Sequence, residues 1–399
     1  MPTKAEKKQL DGALATFHSH YSSDRNWGVQ RWEESLYEAL ANPTRYAALI
    51  NYFASTTDVD DIFSRLSLSN PERQQIRLPE TGSTTQQSTL KLLECKTLPR
   101  ETEAKSPQST NFLFPQPAPV PSIADPNRKV FSHWNLDAAS VLCAWMLAVQ
   151  PGDKVLDLCA APGGKSVSLS QMLFQDSPAD TGTVLGCLHS NEMDPARNKR
   201  LAINLQSYLP RHLFEKGAVR VLRLDGADVK AVHQLPLGAG GYDKVLLDAP
   251  CSSERHIIHA HTKAASTGRI AEEMLRWRPG SSRNLAKIQA SLLMTALRAV
   301  KVGGRVVYST CSIDTGENDG VLEKVMTLLE QEHGKTGLAW TIRIETASSE
   351  HSSLDEEGLD QWTERTKYGR IALPDHPSGG KWGPLFFTVI SKIARESSA

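Results

Sequence analysis

Apolar positions along this chain follow two rhythms, and the change between them divides it. Near the N terminus Trp32, Leu36 and Leu40 recur every fourth residue, the spacing that aligns side chains on one helix face. Asn42-Pro43 then opens a second apolar run, RYAALINYFA, read as another helix. Residues 1–65 are therefore expected to be a small helical N-terminal segment. From 66 to 125 the rhythm is lost: SLSNPE, ETGSTTQQST, SPQST and FPQPAPVPS are rich in Ser, Thr, Gln and Pro, the composition of a poorly ordered linker. Over 126–399 short apolar runs (KVLDLCA, TVLGCLHS, AVRVLRLD, YDKVLLDA, GGRVVYST) alternate with helix-patterned stretches such as DAASVLCAWMLAV, PARNKRLAINLQSYL and NLAKIQASLLMTALRAV. Strands alternating with helices predict βαβ units, hence an α/β catalytic domain with a parallel sheet covered on both faces. Ligands of such a sheet bind beyond the carboxyl ends of its strands, where the strand order reverses.

Composition narrows the class. The 399 residues carry 45 Lys+Arg against 45 Asp+Glu, and mean hydropathy is −0.36, as in ordinary globular proteins. No apolar run is long enough to span a membrane, so no membrane role is expected. Six cysteines without a CxxC pair argue against a disulfide scaffold or zinc ribbon and fit reduced thiols. The opening MPTKAEKKQLDG contains no secretory signal, and its acids make it a poor mitochondrial transit peptide. With a net charge of zero, any nucleic-acid partner has to meet a local patch. Residues 255–301 supply one, with nine Lys/Arg against Glu272 and Glu273, and Trp277 between Arg276 and Arg278 is a candidate stacking face.

The candidate chemistry sits at the predicted strand ends. VLDLCAAPGGKS closes a strand on Asp157, turns at Pro162-Gly163-Gly164 and starts a helix at Lys165-Ser166, a backbone suited to approaching a nucleotide-like ligand. A P-loop is the rival reading, but its leading glycine position holds Cys159. Glu192, with Asp194 nearby, ends the next strand where a carboxylate accepts both hydroxyls of a ribose. Asp225 ends a third, where an adenine amine is read. Asp248 precedes Cys251 at a fourth, and Thr310-Cys311-Ser312 closes a fifth. Two cysteines beyond neighbouring strands suggest thiol chemistry, though spacing does not say which attacks. Cys95, Cys143, Cys159 and Cys187 read as structural. His256, His259 and His261 fit no regular ligand spacing, so no metal is expected.

LDLCAAPGGKS, LLDAPCS and VVYSTCS, in that order, resemble the Nol1/Nop2/Sun (Fmu-type) family of RNA cytosine-5 methyltransferases, and KWGPLFFTVISK resembles that family's closing strand. The resemblance covers about residues 126–399 and implies a Rossmann-like sheet using S-adenosyl-L-methionine. It implies cofactor contacts at Gly163, Gly164, Lys165, Glu192, Arg197, Asp225 and Asp248. It makes Cys311 the nucleophile that adds to cytosine C6 and gives Cys251 the release step. Asp248 then hydrogen-bonds the base at N3 and its exocyclic amine, and Lys165 contacts base or cofactor. DAAS, ERHIIH and RYAALINYFA further resemble the mitochondrial branch acting on small-subunit rRNA, which implies a mitochondrial location, with the nucleolus or cytoplasm as the alternative. A tRNA substrate, or a catalytically weak ribosome-assembly factor on the same fold, are the alternatives. No separate RNA-binding module is recognisable, so RNA specificity is expected from a helical-repeat protein partner or from the N-terminal helices.

Overall fold

In the computed structural model, which describes residues 2–24, 26–64, 73–81, 90–95, 114, 116–175, 184–345, 355–379 and 382–395, the N-terminal segment opens with the helix Lys4–Ser22. Thr3 and Glu6 close its first turn as a capping box. Trp32, Leu36 and Leu40 fall on one buried face, as their spacing predicts, across a π-helical turn Trp32–Leu36 and the helix Tyr37–Ala41. RYAALINYFA departs from expectation: its centre is strand β1 (Ala47–Ile50), with Ala47, Ala48 and Leu49 all fully buried. A short run apolar on every position has no helical period to defend, so partners decide, and here they are strands.

One of those partners, β3, lies inside the expected linker, as does the strand β2 that pairs with it. β2 (Arg73–Ile76) and β3 (Leu92–Cys95) form with β1 and β6 (His133–Leu136) a four-stranded sheet ordered β2-β3-β1-β6. β4 (Pro119–Ser122) and β5 (Asp125–Phe131) make a separate hairpin. Half of the described residues in 66–125 are thus paired strand; SPQST lies outside the described residues.

The main sheet is built from β7 (Lys154–Asp157), β8 (Cys187–Asn191), β9 (Val219–Leu222), β10 (Tyr242–Asp248), β11 (Val300–Thr310), β12 (Trp340–Ile344), β13 (Glu364–Arg365), β14 (Arg370–Ala372) and β15 (Leu385–Ala394). Their order is β13-β14-β15-β11-β10-β7-β8-β9, with β12 also on β15. β9, β8, β7, β10 and β11 are mutually parallel, whereas β15 runs antiparallel to β11, so the sheet is mixed rather than all-parallel. The chain passes from β7 to β8 and β9 on one side and returns to β10 and β11 on the other. The strand order therefore reverses between β7 and β10, and the crevice belongs there.

Alternation along the strands divides the core. Val155, Leu246 and Val307 join one buried cluster with the helices Ala138–Trp145, Gly164–Leu173 and Pro195–Tyr208. Leu156, Val245, Leu247, Val306 and Tyr308 point the other way, into a cluster with the helix Ser281–Ala299. Phe17, Tyr21, Trp27, Trp32, Leu36 and Leu40 belong to that second cluster. The N-terminal helices are packed on the sheet, not tethered beside it.

Trp277 is part of the same packing, and the stacking face expected of it is not there. It is 5% exposed, with its ring centroid 4.9 Å from Phe17 and 5.9 Å from Tyr21. The basic stretch is also partly spent: Arg276 pairs with Glu272 at 2.6 Å, Arg298 with Glu332 at 2.9 Å and Lys301 with Asp243, while Arg255 is buried. Trp277→Ala is accordingly expected to cost about 3–5 kcal/mol of stability, as deletion of a core aromatic does. Thermal unfolding checks this, and an unchanged melting temperature would return Trp277 to the surface.

Candidate active site

Four loops at the carboxyl ends of β7, β8, β9 and β10 surround a cleft of about 430 Å³, and the end of β11 closes it. Glu192, Arg197, Asp225, Asp248, Cys251 and Cys311 all line it. An adjoining recess of about 120 Å³ is lined by Gly164, Lys165, Asp248, Asp157, Ser140 and Trp134. Gly163 lines neither. Its φ of 119° is left-handed, and a Cβ there would meet Leu201 at 3.3 Å, so this glycine permits the turn and the close helix behind it.

Lys165 lies in the first turn of the helix Gly164–Leu173, and its Nζ reaches across to Asp248 Oδ2 at 2.8 Å and to Ser140 Oγ at 3.3 Å. Burial alone would lower the lysine pKa; the adjacent Asp248 carboxylate reverses this and holds it above the ordinary value. Ser309 Oγ donates to the other Asp248 oxygen at 2.9 Å. Ser166 donates to Asp157 Oδ2 at 2.6 Å and touches Ser190 Oγ at 2.9 Å, all three being buried. The P-loop rival fails on these contacts: its lysine is already neutralised by a carboxylate and its serine is locked inside.

Glu192, buried directly after β8, accepts from Asp194 N–H at 3.0 Å and lies 3.4 Å from Arg197. Asp194 itself caps the helix Pro195–Tyr208 by accepting from Arg197 N–H at 2.8 Å. Asp225, exposed in the loop after β9, accepts from Ala227 N–H at 2.9 Å. Sequence reasoning missed Asn191, whose amide donates to the Leu158 and Leu224 carbonyls and whose oxygen accepts from Leu224 N–H. One side chain thus knits three strand ends. It also missed the apolar wall of Leu158, Ile288 and Leu292, where Gly226 has no room for a Cβ: Leu292 would stand at 2.9 Å. Acceptor carboxylates at one end and an apolar slot beside them are the chemistry an adenosine needs, so the residues fit S-adenosylmethionine.

The two cysteines meet. Cys251 Sγ lies 3.0 Å from Cys311 Sγ because β10 and β11 are neighbours and both loops turn toward the cleft. Ser253 Oγ is 3.4 Å from Cys311. Hydrogen bonding by Cys251 favours the Cys311 thiolate more than burial disfavours it, and Ser253 adds to this, so the Cys311 pKa falls below the usual thiol value. The same contact, with burial, pushes Cys251 well above it.

Residues 144–353, more than half the chain, match the family described as 16S rRNA methyltransferase RsmB/F. The chain belongs to this family. RsmB/F proteins are S-adenosylmethionine-dependent RNA cytosine-5 methyltransferases, and the chain is an enzyme of that class. Curated relatives of this RsmB/F chain include a mitochondrial tRNA (cytosine(34)-C(5))-methyltransferase from Danio rerio, 30% identical over 98% of this chain and 90% of its own. The 5-cytosine rRNA methyltransferase NSUN4 from Mus musculus is 32% identical over 90% of this chain and 84% of its own. Among solved structures, NSun6 from Pyrococcus horikoshii with SFG, an S-adenosylmethionine analogue, superposes with a TM-score of 0.56 at 14% identity, covering 95% of this chain and 98% of its own. A methyltransferase homologue from the same organism gives 0.53 at 19%, covering 97% and 99%. At these identities the likeness establishes the methyltransferase fold.

Proposed function

We propose that this chain methylates C5 of a cytosine in mitochondrial small-subunit rRNA through a covalent bond between Cys311 and C6. The observation that carries the reading is the 3.0 Å contact between Cys251 and Cys311 at the wall of a cleft that also presents Glu192 and Asp225. C5 of an aromatic cytosine is a poor nucleophile. Addition of the Cys311 thiolate to C6 breaks the aromaticity and makes C5 enamine-like. Bound S-adenosylmethionine supplies the methyl group that C5 then takes. Solvent water takes the C5 proton, the C–H electron pair restores the C5–C6 double bond, and the Cys311 thiolate leaves C6, stabilised as it departs by a hydrogen bond from the Cys251 thiol. Asp248 and Lys165, at the junction of cleft and recess, would hold the base edge. Glu192 and Asp225 would take the ribose and adenine, with Arg197 beside Glu192, and Gly164 lets the backbone come close.

The rRNA assignment draws support from the 5-cytosine rRNA methyltransferase NSUN4 among the relatives, and the mitochondrial location from the mitochondrial tRNA enzyme. That a helical-repeat protein partner supplies RNA specificity is part of the proposal and rests on neither. A tRNA substrate is the second reading, favoured by the tRNA enzyme matched over 98% of the chain. Bisulfite sequencing of mitochondrial rRNA and tRNA from cells with and without the gene separates them: loss of a single rRNA cytosine mark supports the proposal, and loss of a tRNA mark instead replaces it.

For the cofactor, Glu192→Ala is expected to weaken S-adenosylmethionine by about 10- to 100-fold, the worth of a charge-assisted contact of roughly 1.5–3 kcal/mol. Calorimetry on the purified protein reads this directly. Unchanged affinity would move the ribose away from Glu192.

A further inference from the structure

Behind the sulfurs, on the side away from the cleft, lies a buried carboxylate with no part in the chemistry above. Glu254 is 0% exposed at the start of the helix Glu254–Ser266, three residues after Cys251. Its Oε1 accepts from Tyr21 Oη at 2.8 Å, from Ser312 Oγ at 3.0 Å and from Ser252 Oγ, and its Oε2 accepts from Ile313 N–H at 3.0 Å. Two of these donors come from the loop after Cys311, one from the loop of Cys251 and one from the N-terminal helix. Four converging donors are matched by a carboxylate, which only accepts; an amide would turn an N–H toward one of them.

The surroundings repeat the pattern. Glu317 accepts from Ser252 N–H at 3.1 Å and from Gln289 Nε2 at 2.7 Å, and the same Gln289 nitrogen donates to the Pro250 carbonyl at 2.8 Å. Trp27 Nε1 donates to the Ile313 carbonyl at 3.3 Å, His20 lies 3.2 Å from Asp314, and Thr315 Oγ1 donates to Asp24 at 3.1 Å. Between the cysteine and the hub, Ser253 has a φ of 53°, a backbone region that non-glycine residues keep when their surroundings hold them there.

We propose that Glu254 is a positioning residue for methyl transfer, its carboxylate tying the Cys251 loop, the Cys311 loop and Tyr21 of the N-terminal helix into one unit that sets the sulfur–sulfur contact. The proposal rests on the thiol-pair reading above. It gives the N-terminal helix a share in the chemistry, because the phenol of Tyr21 completes the hub.

The test is alkylation of Cys311 by iodoacetamide as a function of pH, followed by mass spectrometry on the full chain, with S-adenosylmethionine calorimetry as the check of folding. Glu254→Asp keeps the charge but retracts it by one methylene. Its Cys311 midpoint is expected to rise by about one pH unit as the hydrogen bond from Cys251 is lost. Single-turnover methyl transfer is expected to fall by about tenfold or more with the KM for RNA and the cofactor affinity unchanged. Tyr21→Phe, a milder change that removes one donor, is expected to move the midpoint the same way by less. These variants leave Asp248 and Lys165 on the cleft side, and Glu317, Asp314, His20 and Tyr308 on the buried side, in place. If Glu254 acted through charge alone, Glu254→Gln would lower the midpoint and Glu254→Asp would leave it alone; that result, or a wild-type midpoint in both Glu254→Asp and Tyr21→Phe, overturns the proposal. A wild-type protein whose Cys311 midpoint is ordinary, or is unmoved by Cys251→Ala, removes the thiol-pair reading itself and the proposal with it.

Discussion

Cys311→Ala is expected to abolish both methyl transfer and the protein–RNA bond, whereas Cys251→Ala is expected to accumulate a protein–RNA adduct that survives denaturation. The asymmetry follows from the order of bond making: the attacking sulfur is needed to form the adduct, the second sulfur to collapse it. Both sulfurs line the cleft 3.0 Å apart, where either can donate to the other; with Cys251 as the donor the Cys311 pKa falls and burial holds the Cys251 thiol up, which is the allocation these variants test. Removal of a covalent nucleophile lowers turnover by roughly 10⁴-fold or more, so residual activity in Cys311→Ala should lie at the detection limit. The Cys251→Ala variant has a further signature. Without its principal hydrogen-bond donor, the Cys311 pKa moves back up toward the ordinary thiol value, so adduct formation in that variant should need a higher pH than in wild type. Labelled RNA on a denaturing gel across a pH series measures both effects. An adduct from Cys311→Ala and none from Cys251→Ala would exchange the roles; methylation intact in both would end the covalent mechanism.

What could be read from the chain, and what could not, follows physical lines. Strands such as KVLD and YDKVLLD were legible because they are apolar runs of strand length bounded by turn residues, and their final acids and cysteines therefore fell at the correct end of the sheet. RYAALINYFA was not, since β1 is apolar on consecutive positions and its strand state comes from β3 and β6, distant in sequence. Polar composition likewise concealed β2 and β3, whose pairing owes nothing to local propensity. Trp277 misled for a related reason: flanking arginines describe its neighbours in the chain, while Phe17 and Tyr21, some 260 and 256 positions away, decide its burial. In the site, the motifs put Cys251 and Cys311 beyond strands expected to be neighbours, and β10 and β11 are adjacent. Glu254 carries no signal in the sequence, because the donors that converge on it come from three separate segments.

Asp248→Asn is the substitution expected to separate stability from chemistry most sharply, because it preserves shape and removes one charge. In the native protein Asp248 holds the Lys165 ammonium at 2.8 Å, with 13% of the lysine side chain and 31% of the aspartate exposed. Lys165 has a folded pKa raised above its unfolded value, so the pair's contribution is complete below about pH 10, the unfolded lysine pKa, and is lost as the pH climbs through the folded value. The asparagine variant should therefore show a stability deficit that is nearly constant between pH 6 and 9. Its size should be about 2 kcal/mol, below the roughly 3–5 kcal/mol of a fully buried broken pair because the site opens to the cleft. Methyl transfer should drop by about 100-fold or more, the scale set by removing one preorganised electrostatic contact from a reacting group. S-adenosylmethionine affinity should change far less, since Glu192 and the apolar wall remain. Thermal unfolding across the pH range and single-turnover kinetics together check the argument. A variant that melts like wild type and methylates at the wild-type rate would make the Lys165–Asp248 pair a solvated contact and send the base edge elsewhere in the recess.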